Sequence, residues 1–274
     1  MKLIKISQKE FLETIQEFSR EELGVPLDFD TGRFNGKKDT RNRLYFLYVC
    51  PKTKFWPGTK SLVSLCVYEG TARSDSLLKI YKKRNYDIDS ISYVLSETAN
   101  EDRKQILPNL SKITAKKIST IFHEGFHYYL MREVYTRIKE KNTITSRSLE
   151  EGAATIFGET AARLFIEKYY GPKSRLLAEI KKSNEDISRR FRQLHALYKQ
   201  LNSVYQDTLL SDAEKSAKAK KLYRNFHRHF GNAGLMFRFL FARHYFLFEG
   251  IWQNSETPKE AAEKFIKIIK KGNL

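Results

Sequence analysis

The 274-residue sequence predicts a mostly helical α+β protein. Strand-like runs separated by turn signals occur before residue 110, whereas nearly every segment after Ile113 spaces its apolar residues by three and four. A hydrophobic content of 41% with 13% aromatic residues indicates a globular chain. We therefore expect a small α/β lobe over residues 1–110 and a helical lobe over residues 111–274, either as two lobes or as one integrated domain.

The N-terminal lobe opens with a helix predicted over residues 8–23. Ser7-x-x-Glu10 is a capping box at its start, and Gly24 followed by Pro26 ends it. The segments that follow are three strand-like runs at 44–50, 61–68 and 88–95, a turn region at 51–58 and a short helix at 76–84.

The helical lobe begins with a helix predicted from residue 113 to about 139. Ser148 is the predicted N-cap of the next helix, in which Gly152, Ala153 and Ala154 allow close packing against a neighbour. A long helical stripe over 187–205 then turns at residues 210–212, where Ser211-x-x-Glu214 caps the return helix. The apolar segment 235–252 contains charged residues, so we expect a buried helix rather than a membrane span.

The net charge of +18, from 50 Lys and Arg against 32 Asp and Glu, creates a field that attracts polyanions. However, the basic residues are scattered along the sequence. The densest group, residues 215–228, lies on one face of a predicted helix whose other face is apolar, as is usual for a solvated helix. We therefore do not expect nucleic acid as a partner.

The cysteines and the N-terminus indicate the cellular context. Cys50 and Cys66 have no metal-ligand spacing and are expected to be buried thiols. The first residues lack the apolar core of a secretory signal, which predicts a cytoplasmic protein, or an exported one if the native N-terminus was trimmed.

Residues 123–127 form a His-Glu-x-x-His signature within the first helix of the helical lobe. Residues i and i+4 share one helix face, so His123 and His127 can bind one Zn²⁺ ion, with Glu124 beside a water on that ion. The alternative is a pair of packed or surface histidines with a solvated glutamate. The flanking apolar face would then bury both imidazoles without an evident partner, so the zinc interpretation is preferred.

A catalytic zinc needs a third protein ligand. The pattern with a third histidine is excluded, because residues 128–133 contain neither Gly nor His. Glu151, 24 residues beyond His127, is the predicted ligand. Ser148-x-x-Glu151 is also a capping box, and Glu150 is the alternative ligand if the register is shifted by one. Glu159 either orients a histidine ring or lies exposed at the surface.

His123-Glu124-x-x-His127 followed by Glu151-Gly152-x-Ala154 resembles the gluzincins, the metallopeptidases whose third zinc ligand is a glutamate on the following helix. The chain is most similar to the bacterial putative aminopeptidases, through residues 19–26, 68–70 and 192–232. The resemblance implies a zincin-like fold, one zinc ion, Glu124 as catalytic base, and a peptide or protein substrate. Two features depart from the aminopeptidases: Glu150 stands where they commonly carry Asn, and no Gly-x-Met-Glu-Asn segment is present to capture a free amine.

Gluzincins usually place a downstream Tyr or His beside the carbonyl oxygen that gains charge. The candidates in this sequence are His244 and Tyr245, followed by His195, His227 and Tyr198, and ordinary packing is the alternative for each. The sequence thus predicts a zinc metallopeptidase. The alternative function is a non-catalytic basic zinc-binding scaffold or a nucleic-acid-associated regulatory protein.

Overall fold

The structure is a computed structural model, which describes residues 7–28, 43–55, 62–67, 79–80, 83, 86–94, 99–100, 103–104, 113–134, 144–224, 226 and 231–271. The helices are α1 (Gln8–Leu23), α2 (Ala115–Glu133), α3 (Ile144–Tyr170), α4 (Arg175–Gln206), α5 (Asp212–Arg224), α6 (Asn232–Ala242), α7 (Tyr245–Gln253) and α8 (Pro258–Lys271). The strands are β1 (Arg43–Pro51), β2 (Leu62–Val67), β3 (Tyr86–Val94), β4 (Ala99–Asn100) and β5 (Arg103–Lys104). The prediction of a mostly helical chain is confirmed.

The chain divides into two compact units. The first comprises Met1–Asp39, Leu95–Arg189 and His244–Leu274, and the second comprises Thr40–Val94 and Arg190–Arg243. Each unit is thus assembled from separated stretches of sequence, whereas the sequence-based division into 1–110 and 111–274 uses a single boundary.

Helix α1 has the ends that the sequence predicts. Ser7 and Glu10 form the capping box, in which the Glu10 carboxylate accepts from the Ser7 amide at 2.7 Å and the Ser7 hydroxyl accepts from the Glu10 amide at 3.2 Å. Gly24 ends the helix with a φ of 67°, a left-handed conformation that glycine adopts without steric cost.

An aromatic core joins α1, α2 and α3 in the first unit. Phe18 of α1 meets Phe122 of α2 and Phe165 of α3 edge to face, with ring centroids 6.0 and 5.4 Å apart. Phe122 also contacts Phe165, at 5.8 Å, and stands edge to face with Phe157, at 6.4 Å. Because all four rings are buried, this cluster fixes the two helices that carry the His-Glu-x-x-His signature and Glu151.

The prediction that Ser148 caps α3 is wrong. The helix already begins at Ile144, and Ser148 is fully buried in its interior. Neither Gly nor Pro interrupts residues 144–148, so the helical hydrogen bonds continue back past Ser148. Glu151 therefore does not cap the start of its own helix.

The second unit contains a three-stranded antiparallel sheet of order β2-β1-β3. Its strands match the three predicted runs to within two residues at each end. At the start of α6, the Asn232 Nδ2 group donates to the Pro51 carbonyl at 2.7 Å, while the Asn232 Oδ1 atom accepts from the Tyr205 and Tyr223 hydroxyls, both at 2.6 Å. This buried residue ties α4, α5 and α6 to the end of β1.

Helices α4 and α5 form the predicted hairpin. The apolar stripe of α4 is buried at Leu194, Leu201 and Tyr205. The Ser211 hydroxyl accepts from the Glu214 amide at 3.3 Å, and the Glu214 carboxylate accepts from the Ser211 amide at 2.8 Å, which confirms the predicted cap.

Residues 235–252 are divided between two helices, which corrects the prediction of one. Helix α6 ends at Ala242 and α7 begins at Tyr245, with Arg243 and His244 between them. Among the described residues no helix is both long enough and apolar enough to cross a membrane.

Three predictions fall partly outside the described residues. Of the short helix predicted at 76–84, only residues 79, 80 and 83 are described, and these are helical. Helix α2 is described as far as Glu133, so the predicted part beyond residue 134 lies outside. Cys50 is a buried free thiol, as expected, whereas the side chain of Cys66 lies outside.

Candidate metal centre

Helices α2 and α3 bring the predicted ligands together in the first unit. His123 and His127 lie one turn apart on α2, and Glu151 projects from α3. Gly158 permits the close packing of these helices, because a Cβ atom there would lie 2.8 Å from the Ser119 carbonyl oxygen and 2.9 Å from the His123 Cβ. The backbone of α3 therefore passes directly against the backbone that carries the first histidine.

The three side chains converge on a small region. The His123 Nε2 and His127 Nε2 atoms are 3.0 Å apart, and the Glu151 Oε2 atom lies 3.6 Å from the first and 3.3 Å from the second. A tetrahedral zinc site with bonds of about 2.0–2.1 Å places its ligand atoms roughly 3.3 Å apart. The two imidazoles and the carboxylate could thus hold one metal ion, and their spacing is compatible with a tetrahedral site.

Glu150 fixes the orientation of the His127 ring. Its Oε1 atom lies 2.7 Å from His127 Nδ1, on the side of the ring opposite the ligand position. A carboxylate at that distance accepts the Nδ1 proton, so Nε2, which faces His123 and Glu151, is the nitrogen that can give up its proton to bind a metal ion. This is the carboxylate–histidine arrangement that supports many protein metal sites.

The charges of the site are strongly coupled. Burial lowers the pKa of His127, but the Glu151 and Glu150 carboxylates outweigh burial and raise it well above its ordinary value. Burial raises the pKa of Glu151, but His127 and His123 outweigh it and hold this pKa far below the usual range. Glu151 is therefore a carboxylate anion, the form that binds a cation.

Glu124 lies in the same electrostatic environment. Its side chain is partly buried, and the charged groups that act on its carboxyl group are His123, His127 and Glu151. Burial raises its pKa above the ordinary glutamate value, against the opposing effect of the two histidines. A carboxyl group with a raised pKa is a stronger base when ionised and so is better suited to accept and return a proton.

Glu159 and Tyr245 form a buried pair between α3 and α7. The Tyr245 hydroxyl donates to Glu159 Oε2 at 2.9 Å, and only 3% of Glu159 and 2% of Tyr245 are exposed. The alternative of an exposed Glu159 is thus wrong. Burial raises the pKa of Glu159 to about 8, while the Tyr245 hydrogen bond opposes this shift and Glu249 adds to it.

His244 lies beside the helix that carries Glu151. A Cβ atom at Gly152 would lie 3.1 Å from the His244 carbonyl carbon, 3.3 Å from the His244 Cβ and 3.3 Å from the Tyr245 amide nitrogen. Gly152 therefore lets His244 and the start of α7 approach the position next to Glu151. His244 is also buried at Nε2.

The remaining candidates have packing contacts in the second unit or are not described. His195 Nε2 lies 2.7 Å from the Ala242 carbonyl oxygen, and its ring meets Phe239 edge to face. Tyr198 stacks on Phe55 and on Phe239, with centroid distances of 4.8 and 4.2 Å. These contacts give both residues structural roles. His227 lies outside the described residues.

The role of Glu150 is the feature that the sequence interpretation missed. The sequence named Glu150 as an alternative ligand and Glu159 as the carboxylate that orients a histidine, whereas the structure places Glu150 on His127 and Glu159 on Tyr245. Two adjacent carboxylates in a helix diverge by about 100°. Which of the two carboxylates faces the ligand position depends on the rotation of α3 about its axis relative to α2. No local sequence pattern predicts that rotation.

No family model, curated protein or solved structure matches the chain. The resemblance to the gluzincins therefore remains a prediction that depends on the motifs themselves.

Proposed function

We propose that the chain is a zinc-dependent metallopeptidase with a zincin-like site on α2 and α3. The observation that supports this most directly is the convergence of His123 Nε2, His127 Nε2 and Glu151 Oε2 at separations of 3.0–3.6 Å. Glu124 lies on α2 beside His123, and its carboxyl group interacts electrostatically with all three of these ligand candidates. Three protein ligands leave the fourth position of a tetrahedral ion for water or substrate, which is the hallmark of a catalytic zinc site.

The residues divide the chemistry among them. When bound, Zn²⁺ supplies a Lewis acid that polarises a carbonyl group and lowers the pKa of water to about 7. Glu124 accepts the proton of the attacking water and returns it to the leaving amine. Glu150 accepts from His127 Nδ1 and would thereby keep Nε2 available to a bound ion. His244 is the candidate donor to the carbonyl oxygen, since the Tyr245 hydroxyl already donates to Glu159.

Substitution of Glu124 by Gln tests this function. The change keeps the size of the side chain and removes its basicity, so we expect the variant to bind zinc as the wild type does and to lose turnover by at least about a hundredfold. Zinc content is measured by elemental analysis of the purified protein. Hydrolysis is measured by mass spectrometry on a mixture of unstructured peptides, each present with a free and with an acetylated N-terminus.

Two matched variants complete the experiment. Glu151→Gln removes a ligand and should lose zinc as well as turnover, whereas Glu167→Gln changes an exposed carboxylate of the same helix and should lose neither. Cleavage of the acetylated peptides would identify an endopeptidase, and cleavage of the free ones alone an exopeptidase. A wild-type protein that binds zinc but cleaves no peptide would instead support a regulatory protease that cuts one protein partner or the non-catalytic scaffold, and absence of zinc would contradict all of these functions.

A further inference from the structure

The two compact units share the positive charge unequally. The second unit, Thr40–Val94 with Arg190–Arg243, contains 21 Lys and Arg against 7 Asp and Glu, a balance of +14 out of the +18 of the whole chain. The first unit, which holds the candidate metal centre, contains 29 against 25, a balance of +4. The second unit is assembled from two distant stretches of sequence, so this concentration of charge is hidden when the sequence is read linearly.

Some charges of the first unit are paired within it, such as Lys168 with Glu22 and Lys264 with Glu260. In the second unit, the cationic side chains of α5 are exposed at Lys218, Lys220, Lys221 and Arg224. Only the first turn of that helix is acidic, through Asp212 and Glu214.

Lys218, Lys221 and Arg224 follow one another at intervals of three residues along the exposed side of α5. Each step advances by about 4.5 Å along the axis and turns by about 60° around it, so the three charges form a ridge about 9 Å long. We propose that this ridge, together with the other exposed cations of the second unit, binds the phosphate backbone of nucleic acid without regard to base sequence. A basic stripe along one helix of a strongly basic module is the electrostatic footprint of such binding.

The contacts of α5 argue against a membrane surface as the partner. A helix that lies on a bilayer inserts an apolar face, but Ala219 of α5 is buried and Tyr223 donates its hydroxyl to Asn232 within the second unit. Leu209 is 92% exposed at the tip of the hairpin. Asp207 and Asp212 flank it, and these acidic side chains are repelled by anionic lipid headgroups.

The test measures binding of the full chain to labelled single-stranded RNA and duplex DNA of random sequence, each about 30 nucleotides or base pairs long, by fluorescence anisotropy over about 50–250 mM salt. The wild type should bind both, with an affinity that falls steeply as salt rises. The triple variant Lys218→Gln, Lys221→Gln, Arg224→Gln should weaken binding more than tenfold and should lower the logarithmic salt slope by about one for each lost contact.

A matched triple variant distinguishes binding by the α5 ridge from attraction by the net positive charge of the whole chain. Lys267→Gln, Lys270→Gln and Lys271→Gln remove three exposed charges from α8 of the first unit, so both variants have the same net charge. Near-wild-type binding by this control supports the proposal, and equal weakening by both triples overturns it. Unchanged zinc content and circular dichroism confirm that each variant is folded.

Two comparison ligands distinguish other polyanions. Polyglutamate stands for an acidic protein partner, and phosphatidylserine vesicles stand for an anionic membrane. Tighter α5-dependent binding to either than to nucleic acid overturns the proposal, as does failure of the wild type to bind nucleic acid at the lowest salt. The outcome does not depend on peptidase activity, because binding is measured directly and none of the substituted residues belongs to the proposed zinc site.

Discussion

A single hydrogen bond determines which nitrogen of His127 faces the ligand position. Glu150 Oε1 lies 2.7 Å from Nδ1, and Glu151 Oε2 lies 3.3 Å from Nε2, so adjacent residues of α3 engage opposite sides of one imidazole ring. The negative charge of Glu150 also increases the basicity of the ring, which strengthens its bond to a cation.

Loss of the Glu150 carboxylate should weaken metal binding. We expect Glu150→Ala to raise the dissociation constant for Zn²⁺ by about 10–100-fold, because the ring then loses both its fixed orientation and its basicity. Glu150→Gln keeps an acceptor for the Nδ1 proton and should lie between the alanine variant and the wild type. Competition with a zinc-binding dye measures these constants, and Glu167→Ala is the control. Unaltered affinity in Glu150→Ala would show that the hydrogen bond contributes nothing to the site.

Glu159 should make the stability of the protein depend on pH. Burial raises its pKa to about 8 in the folded chain, whereas an exposed glutamate titrates near 4.3. Below about pH 4 the group is protonated in both states and its favourable contribution is fully present. Between these pKa values the folded state holds the proton more tightly than the unfolded state, so the contribution declines as pH rises and is lost above about pH 8.

Glu159→Gln provides the measurement of that effect. Glutamine resembles the protonated carboxyl group and does not titrate, so the variant and the wild type should unfold at similar urea concentrations near pH 5. At about pH 9 the variant should be the more stable of the two, because only the wild type then buries a charge. A stability difference that stays constant across this range would contradict the raised pKa of Glu159.

At the scale of elements, the contact between α2 and α3 depends on Gly158. A methyl group there would meet the Ser119 carbonyl oxygen at 2.8 Å and the His123 Cβ at 2.9 Å, and neither atom belongs to a flexible side-chain end. The helices must therefore separate to accept it. We expect Gly158→Ala to lower the free energy of unfolding by about 1–3 kcal/mol and to weaken zinc binding, since His123 moves with the backbone of α2.

Gly250→Ala is the matched control for Gly158. It also lies within a helix, α7, but no atom lies within 4 Å of the position its methyl group would take. Alanine there should stabilise the protein by about 0.5–1 kcal/mol, because it removes the helix penalty of glycine without a clash. Urea unfolding of both variants compares the two sites. Equal effects would mean that the close approach at Gly158 is absent from the folded protein.

Elements with local signals at both ends could be predicted from the sequence. Helix α1 has a capping box at Ser7 and a left-handed glycine at Gly24, and the hairpin of α4 and α5 has its own cap at Ser211. The start of α3 could not be predicted in the same way. Serine is a preferred N-cap residue, so the sequence around Ser148 looks the same as that of a real helix start. The chain instead buries this serine in a helix interior.

In the candidate site, too, the features with a local sequence signal could be predicted, and those that depend on packing between helices could not. His123, Glu124 and His127 belong to one helix, so their spacing alone predicts that they share a face. The partners of Glu150 and Glu159 depend on how α3 packs against α2 and α7, which is a property of the folded unit. The division of residues 235–252 into two helices likewise depends on tertiary packing, since His244, which lies between them, packs against Gly152.

At the scale of the whole molecule, the metal ligands belong to one unit and most of the net charge belongs to the other. Zinc binding should therefore stabilise the chain unevenly. The ligands connect α2 with α3, so binding should suppress openings that separate these helices, by about 2.7 kcal/mol when free zinc is a hundredfold above its dissociation constant. Helix α5 contributes no ligand and should gain little.

Hydrogen exchange followed by mass spectrometry measures this difference directly. Amides in α2 and in the part of α3 around Glu151 should exchange more slowly when zinc is added, while those of α5 should keep their rates. Glu151→Gln should abolish the slowing, because the carboxylate ligand is then missing. Equal slowing in α5 would mean that the two units open only together, as a single cooperative structure. Slowing confined to α2 and α3 would mean that the metal site can be occupied or emptied without disturbing the basic surface of the second unit.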